Sequence, residues 1–130
     1  MPILDEHFAK LQEAMAGRKF GRAELTDIGN GTALVKLADF VLPPGWNSRT
    51  TTVYFLVPAG YPVARPDNFW TDRNLSLASG APPANTGTNQ LPGVPQGLLL
   101  FSWHPNVWDP NRDTLVNYVG MIWSRFDQKR

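Results

Sequence analysis

The sequence has no cysteine, almost no net charge and no long apolar run. Without cysteine there is no disulfide framework, no thiolate nucleophile, no cysteine zinc site and no iron–sulfur cluster. The 12 basic and 11 acidic residues leave a formal charge of +1, which is not the electrostatic signature of a nucleic-acid-binding protein. The longest uninterrupted apolar run, Val53–Val57, is far shorter than a membrane span. We therefore expect neither nucleic acid nor a membrane as a partner.

What the sequence does contain is typical of a folded globular chain. Apolar residues make up 42% of its 130 residues, and a chain of this length buries about two-thirds of its unfolded surface, enough for one hydrophobic core. We therefore expect a single domain over residues 1–130. The first apolar stretch carries Asp5 and Glu6, which a signal peptide would not, so we expect a cytoplasmic protein.

Apolar residues at helical spacing predict a first helix over residues 4–16, ending at Gly17. His7 has polar neighbours and is expected to lie in solvent. The buried face would consist of Leu4, Phe8, Leu11 and Met15, and the charged face of Asp5, Glu6, Lys10, Glu13 and Arg18.

A second helix is predicted near the end of the chain, with Asp109 as its N-cap and Pro110 as its first residue. Gly120 would cost this helix about 1 kcal/mol relative to alanine, and close packing at that point would explain it. Its apolar face would consist of Leu115, Tyr118, Ile122 and Phe126, widened by Val116, Val119 and Trp123.

Strand patterns fill the region between the helices. Residues 21–42 alternate in polarity around Gly29-Asn30-Gly31, which predicts a hairpin. The β-branched and aromatic run Thr50–Val57 predicts a central strand covered on both faces. A short fourth strand is expected around Asn68–Thr71. The pattern therefore indicates an α+β fold in which helices pack on a four-stranded antiparallel meander.

A long loop follows the meander. Residues 73–97 contain four glycines and four prolines, so we expect a structureless excursion that is functional or mobile. Leu98–Phe101 should be a short buried segment between this loop and the second helix.

Several short motifs occur in order along the chain: Tyr61-Pro62, Pro66, Phe69 and Thr71, then Phe101-Ser102-Trp103-His104-Pro105 and Trp108-Asp109-Pro110. Together they resemble motifs of the ubiquitin-conjugating enzymes, and most closely those of the prokaryotic ubiquitin-conjugating-enzyme-like family lettered E. The resemblance implies the fold of those enzymes: an N-terminal helix, the meander, a long loop on the active-site side and a C-terminal helix packed on the sheet.

The resemblance also implies a function. The chain would carry or transfer a ubiquitin-like protein in a bacterial modification pathway, with that protein and an activating-enzyme-like protein as partners and no cofactor. In that family the first helix meets the activating enzyme, so its charged face would be either a partner surface or simply a solvated one.

The missing cysteine is a departure from the family, whose members carry the modifier as a thioester. Aligning the chain with the family at Trp108-Asp109-Pro110 places Leu100 to Ser102 where the loop that carries the cysteine should lie. Anchoring it on His104-Pro105-Asn106 leaves no room for such a loop before Pro110. We prefer the first alignment, because the proline-capped helix is a feature of a whole element.

Ser102 is then the candidate nucleophile, and it would form an oxyester with His104 as its base, since alternate residues of an extended segment share a face. Asn106 is a candidate oxyanion donor, as are Asn85 and Asn89. Asp109 would either orient His104 or cap the helix. Alternatively, Ser102 satisfies a backbone group in a turn and His104 is packed in its loop.

Partner contacts are predicted at Tyr61, Pro62, Trp103 and Trp108, because tryptophan is enriched at binding hot spots. The alternative is that the tryptophans form the core or a floor under the long loop. No metal is expected, because two histidines without cysteine offer no ligand spacing. A serine hydrolase is disfavoured by the absence of a Gly-x-Ser-x-Gly elbow. The functions left open are an oxyester-forming carrier and a catalytically inactive binding module for a ubiquitin-like protein or activating enzyme.

Overall fold

In the described part of the chain, two helices flank six strands. The computed structural model describes residues 2–17, 21–89, 91, 94, 97–105 and 107–130. The helices are α1 (Pro2–Gly17) and α2 (Leu115–Asp127). The strands are β1 (Arg22–Gly29), β2 (Thr32–Val41), β3 (Thr50–Val57), β4 (Phe69–Thr71), β5 (Thr86–Asn89) and β6 (Leu98–Phe101).

The strands form one antiparallel sheet in the order β1-β2-β3-β4-β6-β5. The predicted α+β class with a helix at each end is confirmed, but the four-stranded meander is wrong because the sheet has six strands. Residues 73–97 are not structureless, since they contain β5, and Leu77 within them forms a bridge to Trp46. Gly87 within β5, and the glycines and prolines on either side of it, obscured a strand of only four residues.

Both faces of the sheet are covered. Alternate residues of β3 divide between two clusters: Val53 and Phe55 pack with the helices, and Tyr54 packs with Leu91 and Val94 on the other face. The expectation that β3 is covered on both faces is therefore confirmed. Leu91 and Val94 come from the predicted loop, so part of that loop serves as core.

The start of α2 lies five residues later than predicted. Thr114 is the N-cap: its hydroxyl accepts from the Val116 N–H, and the Asn117 side chain accepts from the Thr114 N–H. The Asp109 carboxylate instead accepts from the Asn111 N–H, which stabilises an isolated turn before the helix. An aspartate followed by proline predicts both structures equally well, so the sequence could not separate them.

Close packing does not explain Gly120. A methyl group built at its Cα would meet no atom of the described residues within 4 Å, so the expected close approach is wrong. In the described part of the chain, neither helix is long and apolar enough to cross a membrane.

Candidate functional site

The pairing of β4 with β6 brings two connecting segments together. Phe69, the first residue of β4, lies opposite Phe101, the last residue of β6, and their rings stack with centroids 4.7 Å apart. The residues before β4 therefore meet the residues after β6. This juxtaposition places Asp67 and Asn68 beside the segment that begins at Ser102.

Asn68 joins the two segments by hydrogen bonds. Its backbone N–H donates to the Trp103 carbonyl at 2.9 Å, and its side-chain oxygen accepts from the Trp103 N–H at 3.2 Å. The Tyr118 hydroxyl of α2 donates to the Asn68 carbonyl. Asn68 has a φ of 58°, a left-handed conformation that asparagine tolerates better than most residues. This clamp between Asn68 and Trp103 fixes the backbone immediately before the candidate histidine.

His104 faces a carboxylate that the sequence did not indicate. Its Nδ1 lies 3.6 Å from Asp67 Oδ1, and the same oxygen lies 3.8 Å from Arg65 Nη1. The side chains of His104 and Asp67 are 58% and 51% exposed, so the pair is open to solvent. The structure thus pairs His104 with Asp67 and not with Asp109. Asp67 is far from His104 in sequence, and only the β4–β6 pairing could have revealed it.

Ser102 is exposed at the end of β6. Its backbone N–H donates to the Asn85 carbonyl at 2.9 Å, which satisfies the backbone without using the side chain. Among the described residues, the Ser102 hydroxyl has no hydrogen-bond partner. Ser102, Asn85, Trp103 and His104 line one cleft of about 640 Å³, whose opposite wall comes from α2. Serine and histidine therefore share a solvent-filled space, although no hydrogen bond joins them.

The Arg125 side chain is buried beside this cleft, and only 1% of the residue's surface is exposed. Its guanidinium donates to the carbonyls of Ala84, Gln128 and Arg130 at 2.8 to 2.9 Å. It also lies 5.2 Å from the ring of Phe101 and 5.5 Å from that of Trp103. Burial, and secondarily Arg130, lowers the pKa of Arg125. The backbone carbonyls and aromatic faces together stabilise a buried cation.

Three of the four residues predicted to contact partners, Tyr61, Pro62 and Trp108, contact one another. Trp108 Nε1 donates to the Pro62 carbonyl at 2.8 Å, and its ring packs against Tyr61 with centroids 6.2 Å apart. Tyr61 is only 3% exposed, so it offers a partner almost no surface. Trp103, Trp108 and Pro62 are partly exposed, and for them partner contact stays a prediction.

His7 is not solvated as expected, because its Nδ1 and the Tyr61 hydroxyl are hydrogen-bonded at 2.6 Å. Burial raises the pKa of Tyr61 to about 12, so the hydroxyl stays protonated. Burial, and next the charge of Lys10, lowers the pKa of His7, with Glu6 opposing both. The bond ties α1 to the Tyr61-Pro62 turn.

The lowered pKa of His7 predicts a loss of stability in mild acid. The folded chain binds this proton less well than the unfolded chain, so the free energy of unfolding should fall as the pH drops through 6.5, the ordinary histidine value. Urea unfolding between about pH 7.5 and 5.5 measures the fall. It should be smaller in His7→Gln than in the unmodified protein. An equal fall in the two proteins would contradict a role for His7.

Of the remaining candidate residues, some lie in the described part of the structure and others do not. Asn106 lies outside the described residues, as does the side chain of Asn89. Asn85 reaches the cleft and uses its carbonyl to hold Ser102. On α1 the charged residues Asp5, Glu6, Lys10 and Glu13 are exposed, while Arg18 lies outside the described residues. Among the residues that the structure places, no three histidine, aspartate or glutamate side chains are grouped as a metal site would require.

Comparison with known proteins supplies the family. No curated protein and no solved structure matches the chain. The family model described as prokaryotic E2 family E matches residues 9–129, nearly the whole sequence. A match of this extent includes the second half of α1, the whole sheet, α2 and the cleft around Ser102. The chain therefore belongs to prokaryotic E2 family E, whose members are E2-like proteins of prokaryotic ubiquitin-like pathways.

Proposed function

We propose that this protein has a fold like that of the ubiquitin-conjugating enzymes and carries a ubiquitin-like protein as an ester on Ser102. The observation that supports the proposal is the exposed Ser102 hydroxyl, which lacks a partner among the described residues and shares its cleft with His104. An activating-enzyme-like protein would supply the modifier, as family membership implies.

Each group of the cleft has a role in this proposal. A serine hydroxyl is a weak nucleophile and needs a base, and His104 is the imidazole that shares its cleft. Asp67 orients that imidazole through Nδ1, which leaves Nε2 as the nitrogen able to take a proton. The clamp between Asn68 and Trp103 holds both segments in place while a substrate enters.

The transfer is a simple acyl exchange. Ser102 Oγ attacks the carbonyl carbon of the modifier's C-terminal thioester on the activating enzyme, while His104 accepts the hydroxyl proton. The C–O bond forms, the C–S bond breaks, and the proton passes to the departing thiolate. In the second transfer an amine attacks the ester and the C–N bond forms. The proton that the amine loses passes through His104 to Ser102 Oγ as the C–O bond breaks.

A catalytically inactive binding module is the second candidate. It is favoured by the absence of a hydrogen bond between Ser102 and His104 in a chain that has no cysteine. Such a module would hold the same ubiquitin-like protein or activating enzyme without a covalent bond, using the exposed surfaces of Trp103 and Trp108.

Intact-mass spectrometry distinguishes the two candidates. The protein is incubated with ATP, the activating enzyme and the ubiquitin-like protein of the same organism. We expect an adduct of the two chains that hydroxylamine cleaves and that Ser102→Ala abolishes. Ser124→Ala is the matched control, because Ser124 lines the same cleft but donates its hydroxyl to the Gly120 carbonyl. Binding in a pull-down without any adduct would establish the binding module instead.

A further inference from the structure

The strand β5 presents an unpaired edge beside Ser102. It is the last strand of the sheet and pairs only with β6. Thr86, its first residue, lies opposite Phe101, so its N-terminal end is level with the start of the Ser102 segment. An edge strand carries backbone N–H and C=O groups that another extended chain can pair with.

The hydrogen bond from the Ser102 N–H to the Asn85 carbonyl shows which groups of β5 are free. It marks Asn85 and Ser102 as a hydrogen-bonded pair of the antiparallel ladder. Because such pairs alternate, Gly87 and Asn89 direct their backbone groups toward β6, and Thr86 and Thr88 direct theirs outward. Among the described residues, nothing hydrogen-bonds to the outward backbone groups of Thr86 and Thr88.

The surroundings of β5 leave room for another chain. Gly87 and Thr88 are exposed, and a methyl group built at the Gly87 Cα would meet no atom of the described residues within 4 Å. A glycine inside a strand often marks a place where another backbone approaches closely. At the opposite edge, by contrast, the Ala23 carbonyl of β1 accepts from the Gln12 side chain, so that edge is partly occupied.

We propose that the C-terminal tail of the ubiquitin-like protein adds to β5 as an extended antiparallel strand, which delivers its terminal carbonyl to Ser102. The inference rests on the proposed function for the identity of the partner. Main-chain pairing of this kind is a recurrent way to bind an extended peptide.

The direction of an added antiparallel strand requires that its carboxyl end, and not its amino end, lie nearest to Ser102. The added strand must therefore be a C-terminal tail. A strand antiparallel to β5 runs from the level of Asn89 to the level of Thr86, so its carboxyl end emerges next to Asn85 and Ser102. With strands about 4.8 Å apart, the added strand lies about 10 Å from β6. About three extended residues cross that gap, and the cleft lined by Asn85 and Ser102 receives them.

Amide hydrogen exchange measured by NMR tests this arrangement directly. The protein is Ser102→Ala, which cannot form the ester, and the probe is a synthetic peptide of the last seven or so residues of the ubiquitin-like protein, long enough for β5 and the gap. We expect the peptide to slow exchange at the Thr86 and Thr88 amides. The amides of Gly87 and Asn89 should change little, because they already bond to β6.

A matched pair of variants supplies the second measurement. Thr88→Pro removes one outward N–H and keeps the ladder to β6, whereas Thr88→Val keeps that N–H. Peptide affinity should fall about tenfold in Thr88→Pro and stay unchanged in Thr88→Val. A bound peptide that leaves Thr86 and Thr88 unprotected, or no peptide binding at all, would overturn the inference. Failure of adduct formation alongside protected Thr86 and Thr88 would instead contradict only the ester.

Discussion

Replacing His104 with glutamine is expected to slow formation of the Ser102 ester by about 10²- to 10⁴-fold, the usual contribution of a general base. Glutamine keeps the size and polarity of the side chain but cannot accept the serine proton. The backbone should not move, because the clamp between Asn68 and Trp103 uses no atom of the His104 side chain. Single-turnover assays with the charged activating enzyme, read by intact mass, measure the rate.

Two further observations make this experiment specific to proton transfer. The variant should lose the histidine-dependent limb of the pH–rate profile, which a merely structural change would leave in place. Asp67→Asn should slow the reaction less, because an amide oxygen can still orient Nδ1 but carries no charge. If His104→Gln forms the ester at the normal rate, His104 is not the base and Ser102 must be activated by a partner.

Replacing Arg125 with methionine is expected to lower the free energy of unfolding by about 3 kcal/mol or more, because hydrogen bonds to charged groups contribute about 1.5 to 3 kcal/mol each. Methionine fills a similar volume but leaves the carbonyls of Ala84, Gln128 and Arg130 without their donor. The rings of Phe101 and Trp103 also lose the cation they flank. Urea denaturation followed by circular dichroism measures the change.

Arg112→Met is the control for this measurement. The Arg112 side chain is 72% exposed and lies 3.7 Å from the Asp113 carboxylate, and exposed ion pairs of this kind contribute about 1 kcal/mol or less. Its removal should therefore leave stability nearly unchanged. Equal stability of Arg125→Met and the unmodified protein would show that water or a shifted C-terminal segment satisfies the three carbonyls.

The elements that the sequence predicted well are those with a long periodic pattern. The face of Leu4, Leu11 and Met15 is buried as expected, and β3 has the predicted bounds because eight consecutive residues favour a strand. The pattern of β5 is too short and too polar to predict, and β6 gains its neighbours only through contacts distant in sequence. The long loop was misjudged because glycine and proline indicate turns but say nothing about Leu91 and Val94 entering the core.

The candidate site was predicted in part. The motif between Phe101 and Pro105 led to Ser102 and His104, and both line one cleft. Asp67 was missed because its relation to His104 depends on which strands are neighbours. His7 was misplaced because its polar neighbours in sequence concealed Tyr61, which approaches it from the other side. A charged group or hydrogen-bond partner that another segment of the chain contributes leaves no signal in the residues next to the histidine in sequence.

The antiparallel pairing of β4 with β6 also makes the distance between Asp67 and His104 independent of the length of the connection between those strands. Asp67 lies just before β4 and Ser102 just after β6, at the same end of the sheet, and the chain between these strands leaves β4 and enters β6 at the opposite end. Insertions or deletions between Thr71 and Asn85 can therefore change the size of that connection without changing the distance from the Asp67 carboxylate to the His104 imidazole. Relatives whose connections differ in this part would keep the same spacing between those two side chains.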